Sequence, residues 1–421
     1  MELTLLIINT LFYWIFLFWH IKRQHHFDEI ALIITLWAFT SLTSVFYYST
    51  PLYARDYHKS PVTLLPFIYL FVIFLITLAP LFKYSSAKIK HISCSSPLVL
   101  PLIYFIAFAS YLPMIELIAN LINNGLIHFE TAYSDKVVDP RWFMSEPGRK
   151  LSALSFVTPF ITPALFFYYL SSGKRNVFVI IGLISSFLVY PLIMMNGGSR
   201  WAPVNSLLYF AYMFLWLRNI IPLKIKKTVI IVFSVGAVLL MLIFIIITFG
   251  RFGGPEFSVG QWVLSYSGQN FCVYNQDVWW INNHTNGEIC FNPWLHPDGQ
   301  VLTAEQIESI TGINYGTFCT CFGSLQIDYG PIKLFFIAIL IFIIFSLIVK
   351  IKNDTISLGD LILGSFLGYM LVTGMFYFTW VLSLHLLPYT IFIIILFKIK
   401  LINEFIRTKY HKTKLIDSKF N

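Results

Sequence analysis

The chain has 421 residues, of which 57% are hydrophobic, 18% are aromatic and only 12% are charged, and its mean hydropathy is +0.73. These values exclude an ordinary soluble domain and indicate an integral membrane protein. The formal net charge of +9 does not indicate a nucleic-acid-binding protein, because the lysines and arginines stand in short clusters beside apolar segments, where they face anionic lipid.

Eleven apolar segments are long enough to cross about 30 Å of hydrocarbon as helices. The first has neither a basic n-region nor a small-residue cleavage site, so we expect a retained helix and not a signal peptide. The expected fold is an all-α polytopic integral membrane protein that forms a single membrane domain over residues 1–421. The predicted spans are 2–21, 29–50, 62–82, 97–121, 151–172, 177–196, 203–218, 228–249, 332–349, 357–376 and 380–397.

Lysine and arginine favour alternate connections between these spans. Of the 29 basic residues, 20 lie in one set of connections together with the tail 398–421, and nine lie in the other set. The positive-inside rule therefore predicts that the N-terminus lies outside and that the C-terminus and its basic tail are cytoplasmic. On this topology residues 250–331 form one large outer loop.

This predicted loop has an unusual composition. It holds four of the five cysteines, four of the eleven tryptophans and eleven of the 22 glycines. Thr303 and Gln306 resemble a capping box that opens a short helix near 304–311, and Gly312 closes that helix. We expect the rest of the loop to be irregular.

The cysteines of the loop are candidates for disulfide bonds, because the outer side of a membrane is oxidising. The candidates are Cys272, Cys290, Cys319 and Cys321, and the sequence does not choose among their three connectivities. Free thiols are the alternative. A metal site is disfavoured because the one-residue spacing of Cys319 and Cys321 suits tetrahedral zinc poorly.

Tryptophans of the loop alternate with asparagine, glutamine and aspartate, which is typical of a carbohydrate-binding surface. Trp262, Trp279 and Trp280 are the candidates, because an indole face covers the apolar face of a sugar while amides and carboxylates bond its hydroxyls. The alternative is that these rings form an interfacial belt or the loop's own small core.

Two arginines lie beside glycines at predicted outer helix ends. Arg200 ends the sequence Asn-Gly-Gly-Ser-Arg, and Arg251 lies in Phe-Gly-Arg-Phe-Gly-Gly. A guanidinium group can bind a lipid-linked diphosphate with two parallel hydrogen bonds and stabilise it as a leaving group. Snorkelling to the interface is the alternative. Arg141 and Arg149 are further candidates for substrate binding, unless they form solvated ion pairs with neighbouring acids.

Candidates for a general base are Glu256, Asp277, His296 and Asp328. His296 is attractive because imidazole titrates near neutral pH, although it is also a loop residue that can simply face solvent. Asp328 can instead cap the start of the ninth predicted span, 332–349. Glu116 lies within an apolar span toward its outer end, where it either contacts a polar ligand or an arginine, or reaches water.

Four short motifs carry a resemblance to a known family. They are Gly-Gly-Ser-Arg at 197–200, Gly-Arg-Phe-Gly at 250–253, and Phe-Gly-Ser at 322–324 with Asp-Tyr-Gly at 328–330. In these motifs, its length and its many spans, the chain resembles the bacterial oligosaccharide repeat-unit polymerases that make O-antigen or capsular polysaccharide.

The resemblance implies a glycosyltransferase that needs no metal or other cofactor and works at the periplasmic face of the bacterial inner membrane. Its donor would be a glycan on undecaprenyl diphosphate, and its acceptor a fresh lipid-linked repeat unit. A chain-length regulator protein and a flippase are the implied partners, together with membrane lipid and without nucleic acid.

Two alternatives remain. An O-antigen ligase would share the lipid-diphosphate donor and would transfer the glycan to lipid A core. A lipid-linked oligosaccharide flippase or another transporter would place charged residues within many spans and would have short loops on both sides, whereas these spans are nearly free of charge.

Overall fold

A computed structural model of the chain describes residues 1–55, 58–94, 96–124, 141–174, 176–196, 201–252, 257–289, 302–313 and 318–376. Most of these residues are helical. The helices are α1 (Glu2–Gln24), α2 (Glu29–Tyr48), α3 (Pro51–Arg55), α4 (Leu64–Leu78), α5 (Val99–Ala109), α6 (Tyr111–Asn124), α7 (Glu146–Val157), α8 (Ile161–Ser171), α9 (Val177–Asn196), α10 (Trp201–Leu217), α11 (Leu223–Phe252), α12 (Val259–Gln276), α13 (Ala304–Thr311), α14 (Thr320–Ile348) and α15 (Leu358–Thr373).

Six helical segments of the described chain are long and apolar enough to cross a membrane. A seventh is counted if the bent pair α7 and α8 is one span. The helical, membrane-embedded class expected from the sequence is therefore supported, whereas the predicted number of eleven spans is not reached in these ranges. The last predicted span, 380–397, and the basic tail 398–421 lie outside the described residues.

The expectation of a purely helical chain is wrong at one place, where three short strands form a small sheet. Strand β1 (His91–Ser93) pairs in parallel with β3 (Thr355–Ser357), and β2 (Ile351–Lys352) pairs antiparallel with the other side of β3. The turn between β2 and β3 has positive φ angles at Asn353 and Asp354. Apart from glycine, asparagine and aspartate tolerate a positive φ better than other residues do.

The predicted span 151–172 is not one continuous helix, because the helix breaks in its middle. Helices α7 and α8 meet at an angle of 81° around residues 157–160. Pro159 lies in this break, and proline disfavours the helical conformation of the residue before it. Helix α7 therefore diverges sharply from the direction of α8 instead of extending it.

The described residues of the predicted loop 250–331 are largely helical, which corrects the expectation of an irregular loop there. Helix α12 occupies its first third and packs along α2, with residues 270–276 all buried. Ser258 and Gln261 form a capping box at its start. Its serine, glutamine and asparagine content lowers its hydropathy below that of a lipid-exposed span, which is why the sequence pattern resembled a loop.

The short helix predicted within this stretch is confirmed. Helix α13 begins with the capping box of Thr303 and Gln306, and Gly312 ends it with a φ of 67°. Helix α14 starts earlier than the predicted span 332–349, and it contains a break at Gly330, whose φ is 77°, followed by Pro331. Only glycine adopts this φ without strain.

Hydrogen bonds between distant segments define two ends of the helix bundle. At one, the Asp28 end, His20 contacts Asp28, and residues 91–93 pair with 355–357. At the other, the Asp277 end, residues 58–63 contact the end of α12. The residues that meet at the Asp277 end, His58, Lys59 and Asp277, belong to two connections that the sequence assigns to one side of the membrane.

Candidate functional site

Asp277 follows the last residue of α12 and joins two segments that are far apart in sequence. Its Oδ2 lies 3.0 Å from Nδ1 of His58, and its Oδ1 accepts a hydrogen bond of 2.9 Å from the backbone N–H of Lys59. Both carboxylate oxygens therefore have partners. This arrangement differs from that of a carboxylate acting alone as a base.

The His58 imidazole is held in a fixed orientation by its neighbours. Its ring stacks on Tyr53 with centroids 4.7 Å apart, and its side chain is only 10% exposed. The bond to Asp277 favours the tautomer with a proton on Nδ1. Nε2 then carries a lone pair, and that atom is buried without a hydrogen-bond partner in the described part of the chain.

The segment 58–63 is fastened to α12 by amide side chains. Asn275 and Thr63 exchange two hydrogen bonds, of 2.9 and 2.7 Å. Gln276 accepts from the Tyr53 hydroxyl at 3.0 Å and exchanges two further bonds with Ser60. Because every bond joins residues more than 200 positions apart, this end of the bundle is built by tertiary structure and not by a local motif.

Lys59 connects the same segment to α13. Its Nζ donates a hydrogen bond of 2.9 Å to the carbonyl of Thr311 and lies beside Gly312. This contact satisfies one of the carbonyl groups that a helix end leaves unpaired. Lys59 directly follows His58 in the chain, so the residue that carries this ammonium group is next to the Asp277–His58 contact.

Three predicted sugar-binding tryptophans have different surroundings. Trp262 is half-buried, packs edge-on against Phe257 and lies under the guanidinium group of Arg55 at 5.6 Å. Trp279 is half-buried against Tyr69. Trp280 is 45% exposed. Trp280 is therefore the indole of this set best able to contact a sugar, and the other two chiefly pack against protein.

Asp328 is fully buried and anchors the turn 285–289. Its Oδ1 accepts hydrogen bonds from the Thr285 hydroxyl at 2.5 Å and from the N–H groups of Gly287 at 2.7 Å and Ile289 at 3.3 Å. It lies inside α14 just before the Gly330 break, so it does not cap a helix start as the sequence suggested. These contacts favour a structural role over that of a base.

His284 lies next to this turn and against Gly330. Desolvation lowers the pKa of its imidazole, and the charge of Lys333 lowers it further. This shift favours the neutral form of the ring. Lys333 itself donates a hydrogen bond of 3.2 Å to the Asn286 side chain, which adds a second ammonium group to the Asp277 end.

Helices α6, α7 and α9 form a second cluster of candidate residues. Glu116 accepts a hydrogen bond of 2.5 Å from Ser145, the N-cap of α7, and its other oxygen is buried without a partner among the described residues. Asn120 donates a bond of 3.1 Å to Asn196, the last residue of α9. The last residue of α9 therefore lies beside the turn of α6 that follows Glu116.

The two remaining arginine candidates of this cluster differ in exposure. The Arg141 guanidinium group lies over the Phe156 ring at 5.6 Å. Arg149 is exposed on α7, in its first turn. Helices α5, α6 and α9 run side by side from the sheet, as the bonds from Ser110 to Gly182 and from Asn120 to Asn196 show, so this cluster lies away from the Asp28 end.

Several predicted site residues lie outside the described residues. These are Arg200, Glu256, His296 and Cys290. Arg251 lies in the last turn of α11, and its side chain is outside the described set as well.

The predicted disulfide bonds among the described cysteines are not formed. Cys272, Cys319 and Cys321 are free thiols, each buried in the helix packing. They lie within or at the start of helices α12 and α14, so their positions are set by helix contacts and not by a flexible loop. Within the described ranges, no three side chains of His, Cys, Asp or Glu are grouped as a metal site would require.

The residue that the sequence interpretation missed is His58. It lies in the connection 51–61, which the predicted topology assigns to the same side as Asp277. Their common location on the predicted outer side allowed the two residues to be close, but no sequence pattern indicated which histidine and which carboxylate are in contact. Comparison with protein-family models, with curated proteins and with solved structures gives no match to this chain.

Proposed function

We propose that this protein polymerises oligosaccharide repeat units that are linked to undecaprenyl diphosphate, as a metal-independent glycosyltransferase. One observation carries the proposal. The Asp277 end gathers a carboxylate, an imidazole, side-chain amides and an exposed indole at the ends of membrane-length helices. Imidazole and carboxylate are the usual proton acceptors in enzymes, while amides and indoles are suited to sugars.

Glycosyl transfer from a lipid diphosphate requires a proton acceptor for the attacking hydroxyl and positive charge for the leaving group. His58, Asp277 and the ammonium groups of Lys59 and Lys333 offer these properties at the Asp277 end. Arg200 and Arg251 are the proposed guanidinium groups for the diphosphate, because their glycine neighbours allow close approach of a ligand.

The proposed location is the bacterial inner membrane with the Asp277 end facing the periplasm. The charge of the opposite end supports this orientation, because Lys22, Arg23, Lys88, Lys90 and Lys352 lie near the Asp28 end, and basic residues favour the cytoplasmic side. The lipid-linked substrate would reach the site from the outer leaflet. A chain-length regulator and a flippase are the proposed partners.

The decisive experiment is deletion of the gene followed by electrophoresis of surface polysaccharide. A polymerase predicts that cells lacking this chain carry a single repeat unit in place of a ladder, and that the intact gene restores the ladder. Loss of all capped lipid A core would favour a ligase or a flippase. An unchanged ladder would reject all three functions.

A further inference from the structure

We propose that His58 is the general base that removes the proton from the attacking sugar hydroxyl, and that Asp277 is its positioning residue. This inference rests on the proposed glycosyl transfer. In this proposal the proton acceptor is His58, whereas the sequence had offered Asp277 as a candidate for that role. The two residues are 219 positions apart in sequence and 3.0 Å apart in the structure.

The contacts of Asp277 suit a residue that orients an imidazole. One oxygen faces His58 Nδ1, and the other accepts the backbone N–H of Lys59. The carboxylate is thus fixed from two directions by adjacent residues of one segment. A carboxylate in this position stabilises the proton on Nδ1 and the positive charge that the ring acquires when Nε2 takes up a proton.

The unsatisfied atom of His58 indicates a ligand. Its side chain is nine-tenths buried, yet Nε2 has no hydrogen-bond partner in the described part of the chain. Leaving a buried acceptor unpaired costs free energy. A sugar hydroxyl that donates to Nε2 would remove that cost, and stacking on Tyr53 keeps the lone pair in one direction while no ligand is bound.

The proposed step conserves protons and electrons. The acceptor hydroxyl oxygen forms a bond to the anomeric carbon of the donor sugar, and the bond between that carbon and the diphosphate oxygen breaks. The electron pair of the broken bond stays on the diphosphate. The hydroxyl proton moves to Nε2 of His58, while the Nδ1 proton remains between His58 and Asp277, and the imidazolium later releases its proton to solvent or to the diphosphate.

The titratable groups that face His58 come from three segments. Tyr53 of α3 stacks on the ring, Lys59 follows it in the chain, and Asp277 follows α12. Burial raises the pKa of the Tyr53 hydroxyl, so it stays neutral over the working range.

The test uses the full chain in lipid nanodiscs, with undecaprenyl-diphosphate-linked oligosaccharide extracted from cells that lack the gene. We compare wild type with His58→Gln, Asp277→Asn and His91→Gln. The last is a matched control at the exposed strand β1 near the Asp28 end. The readouts are kcat, KM and the dependence of kcat on pH.

We expect His58→Gln to lower kcat by about 10²–10⁴-fold with little change in KM. Asp277→Asn should lower kcat less, because the imidazole stays in place as the proton acceptor. A His58→Gly variant should regain activity with added imidazoles, in proportion to their basicity. A merely structural role would not produce that proportionality, even if some variants fold poorly.

The failures of the two proposals are distinguishable. If wild type polymerises the units and His58→Gln keeps both its kcat and its pH profile, the base assignment is overturned and the proposed function stands. If wild type forms no polymer from these units, both proposals are overturned.

Discussion

Gly268 lies directly against the backbone carbonyl of Thr43, so that a β-carbon on Gly268 would be 2.5 Å from the Thr43 oxygen. Immediately beside this contact, the Thr43 hydroxyl donates a hydrogen bond of 2.9 Å to the carbonyl of Ser267. The pair therefore sets the distance between α2 and α12. Since α12 ends at Asp277, this close approach also determines where the candidate site forms.

Gly268→Ala should destabilise the protein by about 1–3 kcal/mol, because the added methyl group meets backbone that cannot rotate away. Gly260→Ala is the matched control in the same helix, where the nearest atom to a β-carbon is 3.9 Å away. That control should be neutral or stabilising by about 0.5–1 kcal/mol through helix propensity. Thermal unfolding in detergent measures both, and equal melting temperatures would contradict the proposed packing.

Asp328 provides a test that separates an anchor from a base. Asp328→Asn keeps an acceptor oxygen for Thr285, Gly287 and Ile289, whereas Asp328→Ala removes it and leaves buried donors unpaired at about 1–3 kcal/mol each. We expect the asparagine variant to retain most polymerising activity. The alanine variant should show faster hydrogen exchange in residues 281–289. Loss of activity in the asparagine variant with an unchanged exchange rate would restore Asp328 as the base.

The thiols offer a direct check of the helical packing. In a Cys290→Ser variant, Cys272, Cys319 and Cys321 should resist maleimide in native membranes because they are buried. All three should react after denaturation without reductant, and mass spectrometry counts the adducts. A requirement for reductant before labelling would show that these cysteines pair with one another after all.

Much of the helical framework could be predicted from the sequence, because long apolar segments determine it. Helices α1, α2 and α9 begin and end within a few residues of the expected positions. The capping box of α13 and its closing Gly312 were also predicted correctly, since capping depends on residues three positions apart. Local patterns of this kind are readable without tertiary structure.

Tertiary contacts explain what the sequence concealed. Helix α12 has a polar composition, and its tertiary contacts, such as the close approach to α2 at Gly268, show that it belongs inside the bundle. The Asp277 carboxylate was among the predicted candidates, whereas its partner His58 was not, because nothing in either segment specifies a pairing across 219 positions. The site therefore depends on tertiary contacts that cannot be predicted from patterns in a single sequence.

The proposed diphosphate role of the arginines predicts a loss of turnover without a loss of folding. Arg200→Ala and Arg251→Ala should each lower kcat by about 10²–10³-fold, because one charge-stabilising donor contributes about 3 kcal/mol to the transition state. Arg23→Ala is a control near the Asp28 end, where the residue lies in the last turn of α1. The polymerisation assay in nanodiscs measures all three, and near-normal kcat in both test variants would remove these arginines from the proposed mechanism.

The buried pair of His20 and Asp28 predicts how stability depends on acid. Desolvation by itself would raise the pKa of Asp28, but the hydrogen bonds from His20 and from the Ala31 N–H outweigh it, so the pKa of this carboxyl is lowered. A carboxyl whose pKa is lower in the folded than in the unfolded state stabilises the fold above its unfolded value of about 3.9. That contribution is lost as the pH falls toward the folded value.

The melting temperature of wild type should therefore fall as the pH is lowered from about 5 to about 3. That of Asp28→Asn should fall less steeply, because asparagine does not titrate. Asp354→Asn is the matched control, because Asp354 and its partner Lys90 are both well exposed, and exposed pairs contribute little. Its melting curve should follow wild type at every pH. Parallel slopes of melting temperature against pH for wild type and Asp28→Asn would mean that the contact with His20 does not favour the ionised carboxylate. The stability of the Asp28 end would then come from apolar packing and from the hydrogen bond that Glu29 accepts from the Ser86 N–H.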